Sequence, residues 1–390
     1  MKKKLFFTAV VLSVLFGAHS TEPHIQAFVA QEHTAGQQNT AENPASSVPE
    51  CNLVTGTAAV TFTTDNGKTL TPTEERLSGI GYTFGLTALR QPDTLLAVHN
   101  ATLIRSTDAG CSWAKIADLN DEGDYFPLKL EASVGDRAYG WGDNRRYLVR
   151  IDGTDVTYLK SPVDSIVGIG VDATNGDHLR AGGETGIWDS TDAGATWTRI
   201  GSLPVPNVSL ILYRVAFDPT NLDHILVGTA QTGAFFTTNG GQTWKSSKGL
   251  GAGKDTKINA FEFAFSPVRG KVVWAMGLNL AESDAGQPSD GRHIYYSKNG
   301  GKSFKPVIDR DAEVTIRNQP VMKAHPTDPD VLYFVFGTYF QGYGTDLFRF
   351  DVKSKKLDKT HSDYNDIDSI EFSRTDPSTM YLGLEVEQVQ

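Results

Sequence analysis

The sequence predicts an all-β fold built from repeated four-stranded units, and three observations predict it. From about Cys51 onward, short apolar and β-branched runs are separated by turn residues every eight to twelve positions; this pattern fits a sandwich, a barrel or a propeller. An eight-residue turn frame recurs five times, most fully as Ser190-Thr191-Asp192-Ala193-Gly194-Ala195-Thr196-Trp197. The copies are widely and regularly spaced. Asp65 to Asp108 is 43 residues, Asp108 to Asp192 is 84 or two units of 42, Asp192 to Asn239 is 47, and Asn239 to Asn299 is 60. A period of about 40–50 residues with four strands per unit selects the propeller.

The other four copies are 106–113, 237–244, 297–304 and 63–70. Each reads Ser or Thr, any residue, Asp or Asn, any residue, Gly, any residue, Thr or Ser, then an anchor: Trp113, Trp197, Trp244, Phe304 or, in the first copy, Leu70. The side chains of Asp65, Asp108, Asp192, Asn239 and Asn299 can accept hydrogen bonds from turn amides. Gly67, Gly110, Gly194, Gly241 and Gly301 supply a backbone angle that other residues reach only with strain. The hydroxyls can bond across the hairpin, and the ring can pin it to its neighbour. These are scaffold roles, and none requires a ligand. The frame is identified as the Asp-box (BNR) hairpin.

In chain order, Lys2-Lys3-Lys4, the apolar run Leu5 to Gly17 and the small residues Ala18-His19-Ser20 read as a signal peptide over 1–20. The apolar run is short for a membrane span. Residues 21–50 are rich in Gln, Ala, Thr, Ser and Glu and read as a flexible leader. One propeller domain is expected over 51–390. Its cleanest unit runs Ile211 to Phe217, a turn at Asp218-Pro219-Thr220-Asn221, His224 to Thr229, Gly233 to Thr238, the box, then Trp244-Lys245-Ser246.

The same order recurs at Thr83 to Arg90 with Leu95 to His99, and at Ala260 to Phe265 with Val272 to Met276. It recurs again at Lys323 to His325 with Val331 to Gly337, where the box is lost before Phe348-Arg349-Phe350. The box is also lost between Leu128 and Lys160, where Ile151-Asp152-Gly153-Thr154 replaces it. The last unit offers only Ser369 to Arg374 and Met380 to Leu384. Ala58 to Thr63 and Lys68 to Pro72 supply its missing strands, so the ring has seven blades and closes on its N-terminal strands. The two cysteines, Cys51 and Cys111, fall at this seam and are expected to form a disulfide.

A formal charge of −10 over 390 residues argues against a nucleic-acid or anionic-membrane surface. No P-loop, Rossmann or nucleophile-elbow fingerprint occurs, and the histidines lack metal-ligand spacing. The loop 118–124 is oxygen-rich but lacks the EF-hand frame. No metal and no cofactor is expected.

Asp-box propellers include sialidases, xyloglucan-cleaving glycoside hydrolases, sortilin-type receptors, photosystem II assembly factors and secreted bacterial propellers that act on proteases. The resemblance implies architecture and leaves activity open. The nearest match to the sialidase Arg segment, Tyr213-Arg214-Val215-Ala216, lacks its Pro and sits mid-chain. The loops on the face opposite the boxes hold Asp121, Asp124, Asp311, Glu313 and Asp366, from which a glycosidase could draw a carboxylate pair. They also hold Trp141, Tyr339, Phe340 and Tyr343, the aromatic type favoured in recognition of proteins or sugars. The reading is a secreted or periplasmic, monomeric, non-enzymatic interaction protein. Its partner is a protein (an extracellular protease or other secreted enzyme) or a glycan, and the alternative is a carbohydrate-active hydrolase or lyase on the same face.

Overall fold

Among the described residues, seven four-stranded antiparallel sheets make up the secondary structure, with one short helix beside them. They come from a computed structural model that describes residues 60–72, 83–119, 128–142, 146–204, 211–251, 253, 257–286, 291–309, 321–336, 345–363 and 367–385.

Blade 1 is β3 (Gly85–Ala88), β4 (Leu95–His99), β5 (Thr102–Ser106) and β6 (Ala114–Asp118). Blade 2 is β7 (Leu128–Ala132), β8 (Arg137–Gly142), β9 (Leu148–Asp152) and β10 (Asp155–Tyr158). Blade 3 is β11 (Ile166–Val171), β12 (Leu179–Gly183), β13 (Gly186–Ser190) and β14 (Thr198–Gly201). Blade 4 is β15 (Leu212–Asp218), β16 (Asn221–Thr229), β17 (Gly233–Thr237) and β18 (Lys245–Gly251). Blade 5 is β19 (Ile258–Phe265), β20 (Val273–Asn279), β21 (Arg292–Ser297) and β22 (Lys305–Asp309), with helix α1 (Leu280–Asp284) between β20 and β21. Blade 6 is β23 (Met322–Ala324), β24 (Val331–Phe336), β25 (Thr345–Asp351) and β26 (Lys356–Asp363).

Blade 7 closes the ring as expected. β27 (Ile367–Phe372) and β28 (Met380–Leu384) are completed by β1 (Val60–Thr63) and β2 (Thr71–Pro72), with β1 antiparallel to β28 from Val60↔Gly383 to Thr63↔Met380. The first strand of every blade touches the first strand of the next, including β27 against β3.

The core is divided the same way. Seven apolar clusters lie one between each pair of neighbouring blades, such as Val60, Phe62, Leu86, Trp113 and Tyr381 between blades 7 and 1. A sheet buried on both faces has no polar side to expose, which is why the inner strands read as nearly continuous apolar runs.

The box residues account for the outer turns. In blade 1, Gly110 N donates to Ser106 Oγ at 2.8 Å, and Ser112 N donates to Asp108 Oδ1 at 2.9 Å. The Asn copies keep the pattern with the amide reversed toward the hydroxyl: Asn239 Nδ2 donates to Thr243 Oγ1 at 3.0 Å, and Asn299 Nδ2 to Ser303 Oγ at 2.8 Å. Hydrogen bonds, first from the Thr69 and Thr196 hydroxyls, hold the Asp65 and Asp192 carboxyls down to about 2.

The backbone demands more than the glycine alone. The preceding residue is also left-handed, at Ala109 (φ 58°) and Ala193 (φ 59°), which the frame by itself does not indicate. Each ring packs on the blade before it, and Trp244 Nε1 donates to Ser202 O of blade 3 at 2.8 Å. Where the box is lost, Asp152 takes over in blade 2 as the acceptor for Arg137 and Arg150, and Asp351 accepts from Lys353 N at 2.8 Å in blade 6.

Candidate functional site

The first strands of all seven blades line a central cavity of about 560 Å³. Its walls mix apolar with polar surface, and blades 2, 4, 5, 6 and 7 each place charge in it: Lys129 and Glu131 on β7, Arg214 on β15, Glu262 on β19, Lys323 on β23, Asp368 and Glu371 on β27. Register shifts between Leu212 and Arg214 and between Ala260 and Glu262 break the ladder just before two of these residues. A bulge of this kind re-aims the side chain that follows it.

The charges pair with one another. Arg214 Nε stands 2.8 Å from Glu262 Oε1, and Lys129 Nζ is 3.9 Å from Glu262 Oε2. On the other side, Lys323 Nζ is 2.9 Å from Glu371 Oε2. Asp368 accepts from Thr83 N at 3.0 Å, which ties blade 7 to blade 1. Glu131 has no such neighbour within bonding distance among the described residues. Burial pushes its carboxyl above the ordinary carboxylate value, and the charge of Glu371 adds to this, while Lys323, Arg374 and Arg214 draw it back. Two donors in the same walls are buried without a hydrogen-bond acceptor among the described residues, Arg214 Nη1 and Trp141 Nε1.

The structure therefore moves Trp141. The sequence places it at the start of an exposed loop, whereas it is 1% exposed within β8, opposite Lys129 of β7. Its ring packs with Tyr139, Leu148 and Ile166 between blades 2 and 3, and one edge lines the channel. The strand runs on to Gly142 because its backbone pairs with Leu128 before the chain turns.

The remaining expected site residues, Tyr339, Phe340, Tyr343, Asp121, Asp124, Asp311, Glu313 and Asp366, lie outside the described residues. So does Cys51; Cys111 sits in the blade 1 box turn between Gly110 and Ser112. Among the described residues, no group of three or more His, Cys, Asp and Glu side chains is placed to hold a metal.

The channel charges were visible in the sequence as Lys, Arg, Asp and Glu residues, one or two to a strand, inside otherwise largely apolar first strands, a signal that pattern reading for strands passes over. On the box face, His224 bridges blades 4 and 5. Its Nδ1 faces Asp218 Oδ2 at 2.9 Å and its Nε2 faces Gly300 O at 2.8 Å. This places it in the scaffold.

Fold and turns together define a seven-bladed Asp-box β-propeller with a charged central channel. Comparison with known proteins agrees. Residues 185–333 match the family described as Sortilin-Vps10 (sortilin, neurotensin receptor 3). The chain is 46% identical over 343 residues to dispase autolysis-inducing protein of Streptomyces mobaraensis, a match covering 87% of this chain and 90% of that one. It belongs to the same family as that protein. Among solved structures, the GH74 enzyme of Niastella koreensis superposes with a TM-score of 0.57 at 14% identity, over 78% of this chain and 52% of that one. The chain thus spans about half the length of that enzyme. YCF48 bound to D1 peptide superposes with a TM-score of 0.54 at 13% identity, over 78% of this chain and 92% of that one. At these identities the two structures share the fold alone. No helix among the described residues is long and apolar enough to cross a membrane.

Proposed function

We propose that this chain is a secreted, monomeric interaction protein that binds an extracellular protease and promotes the protease's self-cleavage, without being an enzyme itself. The observation that carries the reading is the 46% identity to dispase autolysis-inducing protein across nearly the whole of both chains. The export pattern at residues 1–20 puts the protein where such a protease works. A propeller suits the task because its blades form a rigid ring while its loops are free to vary. For the carbohydrate-active alternative, the likeness to the GH74 enzyme contributes fold alone, at 14% identity.

The loop face opposite the boxes is the docking surface in this reading, with Tyr339, Phe340 and Tyr343 as aromatic contacts. The test is binding of the mature chain to dispase whose active site is blocked, measured on an immobilised surface. Saturable binding that falls at least about tenfold when Tyr339, Phe340 and Tyr343 are changed to Ala is the expected result. Absence of binding would contradict the reading, and binding unaffected by the triple change would move the surface elsewhere.

A further inference from the structure

We propose that the central channel is a binding site for a small, neutral, polyhydroxylated ligand of mono- or disaccharide size. The site is built from residues other than Tyr339, Phe340 and Tyr343, and the reading is independent of the protease partner.

Three observations on different residues converge. The cavity, at about 560 Å³, falls within the volume range of small-molecule sites, and its walls join apolar surface to many polar groups, which suits a ligand rich in hydroxyls. Most of its charges are paired with one another or held by backbone: Glu262 takes Arg214 and Lys129, Glu371 takes Lys323, Arg374 donates to Ala88 O and Asp368 accepts from Thr83 N. An ion of either sign would gain from one set and be repelled by the other, so the wall selects against net charge. Unused hydrogen-bonding capacity is left over all the same. Trp141 Nε1, in a residue 1% exposed, and Arg214 Nη1 meet no acceptor among the described residues. A buried donor without an acceptor is costly, and a hydroxyl oxygen supplies one without bringing charge.

Glu131 completes the set. It has no bonded partner among the described residues, and a carboxyl can donate to a hydroxyl when protonated or accept from one when ionised. A ligand carrying several hydroxyls can accept from Trp141 and Arg214 and still bond to Glu131. Phe217 and Phe263 in the same walls offer apolar surface for the C–H side of a sugar ring.

The test titrates the full mature chain with D-glucose, D-galactose, D-mannose, N-acetyl-D-glucosamine and maltose, followed by saturation-transfer NMR and calorimetry. D-glucuronate and D-glucosamine serve as charged counterparts. At least one neutral saccharide is expected to bind saturably, and more tightly than either charged sugar. Trp141→Phe keeps an aromatic ring but removes the N–H along with part of the indole volume, and it is expected to weaken that binding about fivefold. Glu131→Gln, whose fold is checked by circular dichroism, is expected to weaken it in the range of two- to tenfold and guards against a packing defect in the tryptophan variant. The inference is overturned if no neutral saccharide binds, if the charged sugars bind equally well, or if folded Trp141→Phe and Glu131→Gln chains both bind like the parent. None of these outcomes bears on dispase binding, which is read separately.

Discussion

Lys129 Nζ lies 3.9 Å from Glu262 Oε2, an ion pair that crosses the bore of the ring from blade 2 to blade 5. Blades in a propeller normally touch only their neighbours, so a contact between strands on opposite sides couples parts of the ring that the sheets do not. Glu262 also holds Arg214 of blade 4 at 2.8 Å, which makes it the common partner of both cations.

Removing either end of this contact should therefore have unequal effects. Glu262→Gln strands Arg214, of which 18% is exposed, and is expected to cost about 3 kcal/mol. Lys129→Met removes a longer contact from a side chain that is 23% exposed and should cost under about 1 kcal/mol. Chemical denaturation of the two single variants and the double variant checks this. Equal costs would show that Glu262 is not the shared partner.

Glu131 gives the channel a pH dependence of definite sign. Its carboxyl is raised by burial, so the folded chain holds this proton more tightly than the unfolded chain does. Its contribution to stability is complete below the ordinary carboxylate value and is lost as pH rises through the raised value. Glu131→Gln cannot lose a proton. Its melting temperature is expected to match the parent's at pH 4 and to exceed it at pH 8. A constant difference across that range would contradict the assignment.

The box carboxylates act in the opposite direction. Burial pushes Asp108 up, but hydrogen bonds from Ser112 and Ser106 outweigh it and leave the group below its ordinary value. That stability is present above the ordinary value and disappears as pH falls. Asp108→Asn should be tolerated, because Asn239 and Asn299 already make the same turn, and it should flatten the acid limb of the stability curve. Asp108→Ala loses the acceptor for Ser112 N and should cost about 1–2 kcal/mol. Thermal melts of the two variants between pH 3 and 7 separate the effects.

At the closing seam, a Cys51–Cys111 bond would staple the segment before β1 to the blade 1 box. A peptide map without reduction should recover the two cysteines in one linked fragment. Cys111→Ser should lower stability by about 3–5 kcal/mol for a loop of about 60 residues. Two separately alkylated thiols would refute the pairing.

The ring was legible in the sequence because five of the seven blades repeat one local solution, an apolar first strand, a polar turn, then a box whose residues bond within eight positions, and the other two keep its strand order. The strand Ala58 to Thr63 could be assigned to the last blade, where Val60 now pairs with Gly383, because the last unit had two strands and the first had two to spare. The channel was not legible. Lys129 and Glu262 are 133 positions apart, and nothing local in either strand marks them as partners. Arg214 was weighed against a catalytic segment and set aside, yet its position after a strand irregularity is what turns it into the bore. The sequence reading puts Trp141 at the start of a loop running to Arg146, and Gly140 and Gly142 flank it. Those glycines instead belong to β8, where Gly140 packs against Val149 and Leu128.

The central claim is tested most directly by following dispase alone and dispase with the mature chain over time, reading intact protease by mass spectrometry and residual proteolysis in parallel. The account predicts that the chain speeds the loss of intact dispase, that the fragments arise from dispase cutting itself, and that blocking its active site abolishes the loss while leaving binding intact. An unchanged lifetime of the active protease in the presence of saturating chain would contradict it.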